Sequence, residues 1–203
     1  HAGLAEQKNF SALFPSYGSR LADLLGLRFI ASSVPVETFD KTLKPGDLDL
    51  VAKTREGYIY ENKNALPRVL FATSAQRAGF AEILKSGAWP DFDPATTVLV
   101  EADEPQAARA AGRAEIETYH TTSVTLTVNS PDGGYVVLND LWHPWWVARL
   151  DGADVPILEA NVLFRAVTVP PGSHRIVMTF EPLRGAWKEF SARLSGPDVK
   201  PAN

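Results

Sequence analysis

The chain has 203 residues, 45% hydrophobic and 22% charged, so it can bury a sizeable core in one large domain or two small ones and is not wholesale disordered. A net charge of -4 with no basic run excludes a nucleic-acid footprint and makes electrostatic adhesion to anionic lipid poor. The absence of cysteine removes disulfide frameworks, thiolate metal sites and cysteine nucleophiles, and no apolar run reaches the roughly 20 residues that span a bilayer, so this stretch is expected to be soluble by itself.

In chain order, Ser19 ahead of Leu21, Leu24 and Leu25, with Gly26 behind them, predicts a short capped helix. Leu27 to Val34 reads as a strand, and Asp40 to Asp49, with Pro45-Gly46, as an exposed polar excursion. Gly57–Asn62 and Ala65–Ser74 alternate like strands, and the turn chemistry of Asn62-Lys63-Asn64 between them predicts that they pair. Ala75 to Ser86 predicts a helix with Phe80, Ile83 and Leu84 on one face and Gly87 at its end, and Thr97 to Ala102 a buried strand. The alanine-rich "DEPQAARAAGRAE" is a short helix or a loose connector, and it marks a seam between a mixed α/β part (residues 9-104) and a second part (residues 114-195).

Beyond the seam the pattern is cleaner. Val124, Leu126 and Val128 alternate with polar residues, the period-2 signature of a half-buried strand. Three turn signals follow, "SPDGG", "LDGAD" and "PPGSH", each between strand-like runs, and the last leads into a strand with Ile176, Met178 and Phe180 facing inward. The expected fold class is α+β, β-rich. A C-terminal antiparallel β-sandwich, jelly-roll-like and running from about Ile116 to Pro182, would carry the N-terminal mixed α/β part packed on it, as two domains or as one shared core.

The chemistry concentrates in "LNDLWHPWWVARLDG", Leu138 to Gly152. Asp140 and His143 could be a general base and its orienter or half of a metal site, but no spacing supplies the partner that would complete either. No histidine pair has helical spacing, and no nucleophile elbow, phosphate loop or zinc motif occurs, so no catalytic residue, metal site or cofactor is assigned. Trp142, Trp145 and Trp146 offer aromatic faces for a sugar ring. Adjacent Trp145 and Trp146 point to opposite faces if they lie in a strand, so at least one belongs to the core. Arg165, set among apolar neighbours in "EANVLFRAV", is expected to pair with a carboxylate such as Asp140 or Glu181, and Glu61 and Arg68 raise the same question. The candidate ligand-binding set is therefore Asp140, Trp142, His143, Trp145, Trp146 and Arg165. A stand-alone carbohydrate-binding β-sandwich module and a small hydrolase using Asp140 and His143 are the alternatives these residues leave open.

Two runs, "YIYENKNALPRVLF" (Tyr58 to Phe71) and "VVLNDLWHPWWVARLDGADVPILEANVLFRAVTVPPGSHRIVMTFEP" (Val136 to Pro182), resemble the C-terminal extracytoplasmic region of YfhO-type bacterial membrane proteins, and "LADLLGLRFIASS" resembles the segment that enters it. Where that family often has a tyrosine-rich bend, this chain has "LWHPWW". The resemblance implies a polytopic membrane protein related to C-type glycosyltransferases, which take sugars from polyprenyl-phosphate carriers on the outer side of the cytoplasmic membrane. The catalytic carboxylates of such enzymes usually lie in loops near N-terminal transmembrane helices, so none carries over to this chain. It would be a non-catalytic extracytoplasmic (periplasmic) domain that assists acceptor or glycan handling. Its implied partners are its own transmembrane region and a glycan or lipid-linked sugar, with no cofactor and no nucleic acid.

Overall fold

A computed structural model describes residues 13–101 and 110–183, together with 185 and 187. The middle of the expected seam, residues 102–109, lies outside them, as do the ends of the chain.

The N-terminal part begins with α1 (Arg20–Leu24), where the Ser19 hydroxyl accepts from the Ala22 N–H at 3.4 Å and Gly26, at φ +69, turns the chain away. Leu21 and Leu24 are fully buried. A three-stranded antiparallel sheet follows, β1 (Phe29–Ser32), β2 (Asp49–Lys53) and β3 (Tyr58–Glu61), with β3 in the middle. It closes over a small core of Ile30, Val36 and Tyr60. β4 (Val69–Ala72) joins a different sheet, so the expected pairing across Asn62-Lys63-Asn64 does not form. The turn residues are spent on other contacts: the Asn62 amide donates to Asp23 Oδ1 at 2.8 Å and its carbonyl oxygen accepts from the Asn64 N–H at 2.9 Å.

The expected helix from Ala75 splits in two. Ser74–Arg77 is a strand, β5, parallel to β6 (Thr97–Val100), and α2 (Phe80–Ser86) starts only after Gly79. Pairing with a buried strand overrides the helical preference of Ala75. The C-terminal end of α2 matches the sequence reading, with Gly87 at φ +70 and its N–H on the Ile83 carbonyl.

The sandwich is built from β7 (Arg113–His120), β8 (Ser123–Ser130), β9 (Gly134–Leu138), β10 (Trp146–Leu150), β11 (Ala153–Val155), β12 (Leu158–Ala160), β13 (Phe164–Val169) and β14 (Gly172–Phe180). One sheet has the order β11-β10-β14-β8-β7 and the other β12-β13-β9-β4, and every pairing in both is antiparallel. The chain is thus a β-rich α+β protein with a β-sandwich-like body. Between the sheets lie Leu126, Leu138, Ile176 and Met178, each with no exposed surface; burial of such a side chain contributes roughly 1.5–3 kcal/mol. The four-stranded sheet is covered on its other face too, where Tyr135, Val137 and Ala166 meet Ala75, Val98 and Val100. Phe164 packs there with Leu21, Leu24, Phe80 and Ile83 of the two helices.

Only one of the three turn signals makes a hairpin. Asp151 (φ 51) and Gly152 (φ 90) join β10 to β11 in the primed geometry that suits strand twist. "SPDGG" and "PPGSH" instead carry the chain from one sheet to the other, from β8 to β9 and from β13 to β14.

Candidate functional site

Alternation along β13 decides where Arg165 goes. Phe164 and Ala166 face the helices and β6, while Val167 and Val169 face the sandwich interior. Arg165 shares the inner parity and is 1% exposed. Its guanidinium carbon lies 3.8 Å from the centre of the Trp146 ring on β10, and its Nη2 donates to Asp140 Oδ2 at 3.0 Å. Asp140 follows the end of β9 and is shared further. Arg68, just ahead of β4, donates from Nη1 to Asp140 Oδ1 at 2.6 Å, and the Tyr119 hydroxyl of β7 donates to Oδ2 at 2.8 Å. Arg68 also reaches the Tyr119 hydroxyl at 3.0 Å. Groups on or beside β4, β9 and β13 of one sheet and β7 and β10 of the other therefore close one end of the sandwich around a single carboxylate.

Two guanidinium groups on one carboxylate leave a net positive centre. Burial pushes the Arg165 guanidinium below its usual range, and the Asp140 charge opposes the shift. The Arg165 Nε and Nη1 atoms are buried without a hydrogen-bond partner, so the electron-rich face of Trp146 and the Asp140 charge are what offset their desolvation. Tyr119 is pushed up by burial and then by its bond to Asp140, which favours the neutral, donating phenol.

The aromatic bend continues from this cluster. The Trp142 N–H is anchored on the Leu163 carbonyl at 2.7 Å and the Trp146 N–H on the His143 carbonyl at 3.1 Å. The Trp145 N–H donates to His143 Nδ1 at 3.2 Å, and the His143 ring meets the Trp145 ring edge-on at 4.8 Å. Phe180 sits between the two neighbouring tryptophans, 6.0 Å from Trp145 and 5.5 Å from Trp146. Trp146 thus turns to Arg165 and Trp145 to His143. All three tryptophans of the bend are half-buried, while Leu141, His143 and Pro144 are exposed.

Of the six sequence-derived site residues, Asp140, Trp146 and Arg165 are in direct contact and His143 and Trp145 form an adjoining group. Trp142 is tied to the β12–β13 turn instead. No hydrogen bond joins Asp140 to His143: the carboxylate is taken by Arg68 and Arg165, and His143 Nδ1 accepts from the Trp145 backbone N–H. Of the two carboxylates proposed for Arg165, Asp140 is the one that takes it, and Glu181 lies 3.5 Å from Arg149. Glu61 pairs with Arg28 at 3.0 Å, which frees Arg68 for Asp140. Arg68 and Tyr119 were missed as members of the cluster: they stand 72 and 21 positions from Asp140, and no local spacing links them to it.

Among the described residues no group of three or more histidine and acidic side chains could hold a metal, and no helix is long and apolar enough to cross a membrane. No protein-family profile, no curated protein and no solved structure matches the chain.

Proposed function

We propose that this chain is a non-catalytic extracytoplasmic domain of a polytopic membrane protein related to polyprenyl-phosphate-sugar-dependent, C-type glycosyltransferases, and that it assists acceptor or glycan handling. One observation supports the reading above the others. The separate runs that resemble the YfhO-type region supply Arg68, Asp140, Trp146 and Arg165, and these four meet in one cluster. Such a meeting gives the spaced motif a physical reason to exist, because each run holds one piece of a closure that none could build alone.

The chemistry of the cluster fits support rather than turnover. Both Asp140 oxygens are held by arginines and a tyrosine hydroxyl, so neither faces a substrate to act on. The neighbouring bend offers an amphipathic aromatic edge, suited to weak stacking on a sugar ring or to contact with the transmembrane part.

The reading frame that encodes the chain tests this directly. The reading requires several hydrophobic spans of about 20 residues upstream. A frame with none turns the interpretation to a stand-alone carbohydrate-binding module.

A further inference from the structure

We propose that a polar hollow between α1 and the turn that follows β3, which shares no wall residue with the aromatic bend, is a second binding site, and that it takes an uncharged polyhydroxylated ligand, a mono- or disaccharide. The hollow holds about 700 Å³ and is walled by Arg20, Asp23, Lys63, Asn64, Leu66 and Asp93. That size lies within the range of roughly 300–1,000 Å³ usual for small-molecule sites.

The hydrogen-bond inventory singles this hollow out. Arg20 makes no hydrogen bond or ion pair among the described residues; its guanidinium lies 5.5 Å from the centre of the Phe92 ring and feels the charge of Asp23, and its N–H donors stay open. Asp23, one helical turn on, spends Oδ1 on the Asn62 amide at 2.8 Å and leaves Oδ2 without a donor among the described residues. The Asn64 side chain is also without a partner among the described residues, its backbone N–H alone being bonded, to Asn62. A guanidinium with free donors, a carboxylate with a free acceptor and an amide with both kinds thus share one concavity. Asp93, by contrast, is used up in its own turn by the Ala95 N–H and the Thr96 hydroxyl, and Lys63 pairs with Asp49.

Charge narrows the ligand class. Two cations and two carboxylates line the hollow, so neither an anion nor a cation gains a net attraction there. Neighbouring hydroxyls, each donor and acceptor at once, match a free donor set beside a free acceptor set. Leu66 adds an apolar wall for the C–H face of a ring. The groove over the outer face of the five-stranded sheet, about 430 Å³, lacks these features because Arg113 and Arg175 there are already paired with Glu115 and Glu117. The proposal does not rest on the membrane-protein reading: a saccharide site here would serve a free module equally.

The test is a two-dimensional amide NMR titration of the full chain with glucose and maltose, and with inorganic phosphate as the anionic control. The expected result is saturable millimolar binding of a sugar that shifts the amides of Arg20, Asp23 and Asn64, with no response to phosphate. Arg20→Met and Asn64→Ala each weaken it by about fivefold, the loss of one hydrogen bond, while the remaining spectrum stays that of the folded chain. Asn64 is exposed and Arg20 half-buried, and neither side chain makes a hydrogen bond among the described residues, so the result does not depend on the riskier Asp23→Asn. Sugar shifts confined to the Trp142–Trp146 bend, shifts with phosphate only, or no saturable shift would each overturn the proposal.

Discussion

Asp140 Oδ2 lies 3.0 Å from Arg165 Nη2, and this contact joins the end of β9 to β13 over the core of the sandwich. The Arg165 side chain is 2% exposed, so removing its partner strands a charge in the interior, whereas Arg68, 52% exposed, can return to water. Asp140→Ala is expected to cost about 3–5 kcal/mol in urea unfolding, and Arg68→Ala below about 1 kcal/mol. Replacing both buried partners, Asp140→Ala with Arg165→Met, should recover most of the loss, because the double variant leaves no unpaired charge in the interior. Equal costs for Asp140→Ala and Arg68→Ala would contradict this account of the cluster.

Asn161 performs a second closure, at the β12–β13 turn. Its N–H donates to the Leu99 carbonyl at 3.0 Å and its side-chain oxygen accepts from the Leu99 N–H at 2.8 Å, so one residue imitates a strand partner for β6. It sits at φ 47, in the left-handed region that asparagine tolerates. Asn161→Gly keeps the backbone and loses only the side-chain bond, with an expected cost of about 1–3 kcal/mol. Asn161→Ala adds backbone strain and is expected to cost about 1 kcal/mol more. Thermal unfolding of the two variants separates the terms, and an alanine variant no worse than the glycine variant would remove the strain from the argument.

The His174 imidazole is raised above its ordinary 6.5 by the hydrogen bond that its Nδ1 donates to Asp151 Oδ2, 2.7 Å away, and Asp151 is correspondingly lowered from 3.8. Their signs differ. The histidine contribution to stability is full below about pH 6.5 and is lost as pH rises through the higher folded value, and the aspartate contribution is full above about pH 4 and is lost as pH falls through the lower one. The β10–β11 hairpin is therefore expected to be tied most firmly to the start of β14 between those limits. An imidazole NMR titration checks this: His174 should titrate above 6.5, and Asp151→Asn should bring it down. A His174 value unmoved by Asp151→Asn would show that the pair does not form.

How much of this was legible in the sequence depends on what each residue faces. β8 carries polar residues on its outer face, where Thr127 and Asn129 are exposed, so Val124, Leu126 and Val128 could be read directly. β9 is buried at every position, which makes "GYVVL" a continuous apolar run without a readable face. The Asp-Gly turn after Leu150 was legible because two positive-φ residues impose it locally. Whether "SPDGG" and "PPGSH" stay within a sheet or cross to the other depends on distant strands, and no turn residue encodes that. The site divides in the same way. The Arg165–Asp140 pair could be named because a lone arginine among apolar residues demands a carboxylate, while Arg68 and Tyr119 carry no such local demand.

The bend itself is expected to be a weak platform. Trp142, Trp145 and Trp146 are half-buried, and one exposed ring edge contributes roughly one or two kcal/mol, which by itself corresponds to an affinity no better than tens of millimolar. Calorimetry of the chain with oligosaccharides should show no micromolar binding, and incubation with sugar-phosphate donors no turnover. Micromolar binding abolished by Trp142→Ala or Trp145→Ala would make the bend a principal glycan site.

The central claim, that the chain is the extracytoplasmic part of a membrane protein, is tested most directly by topology in the native host. The full-length gene product, followed with an antibody to this chain, should remain in the membrane fraction after an alkaline carbonate wash. Protease added to intact spheroplasts should digest the epitope. Recovery of the epitope in the soluble fraction, or its protection until the spheroplasts are lysed, would contradict the account.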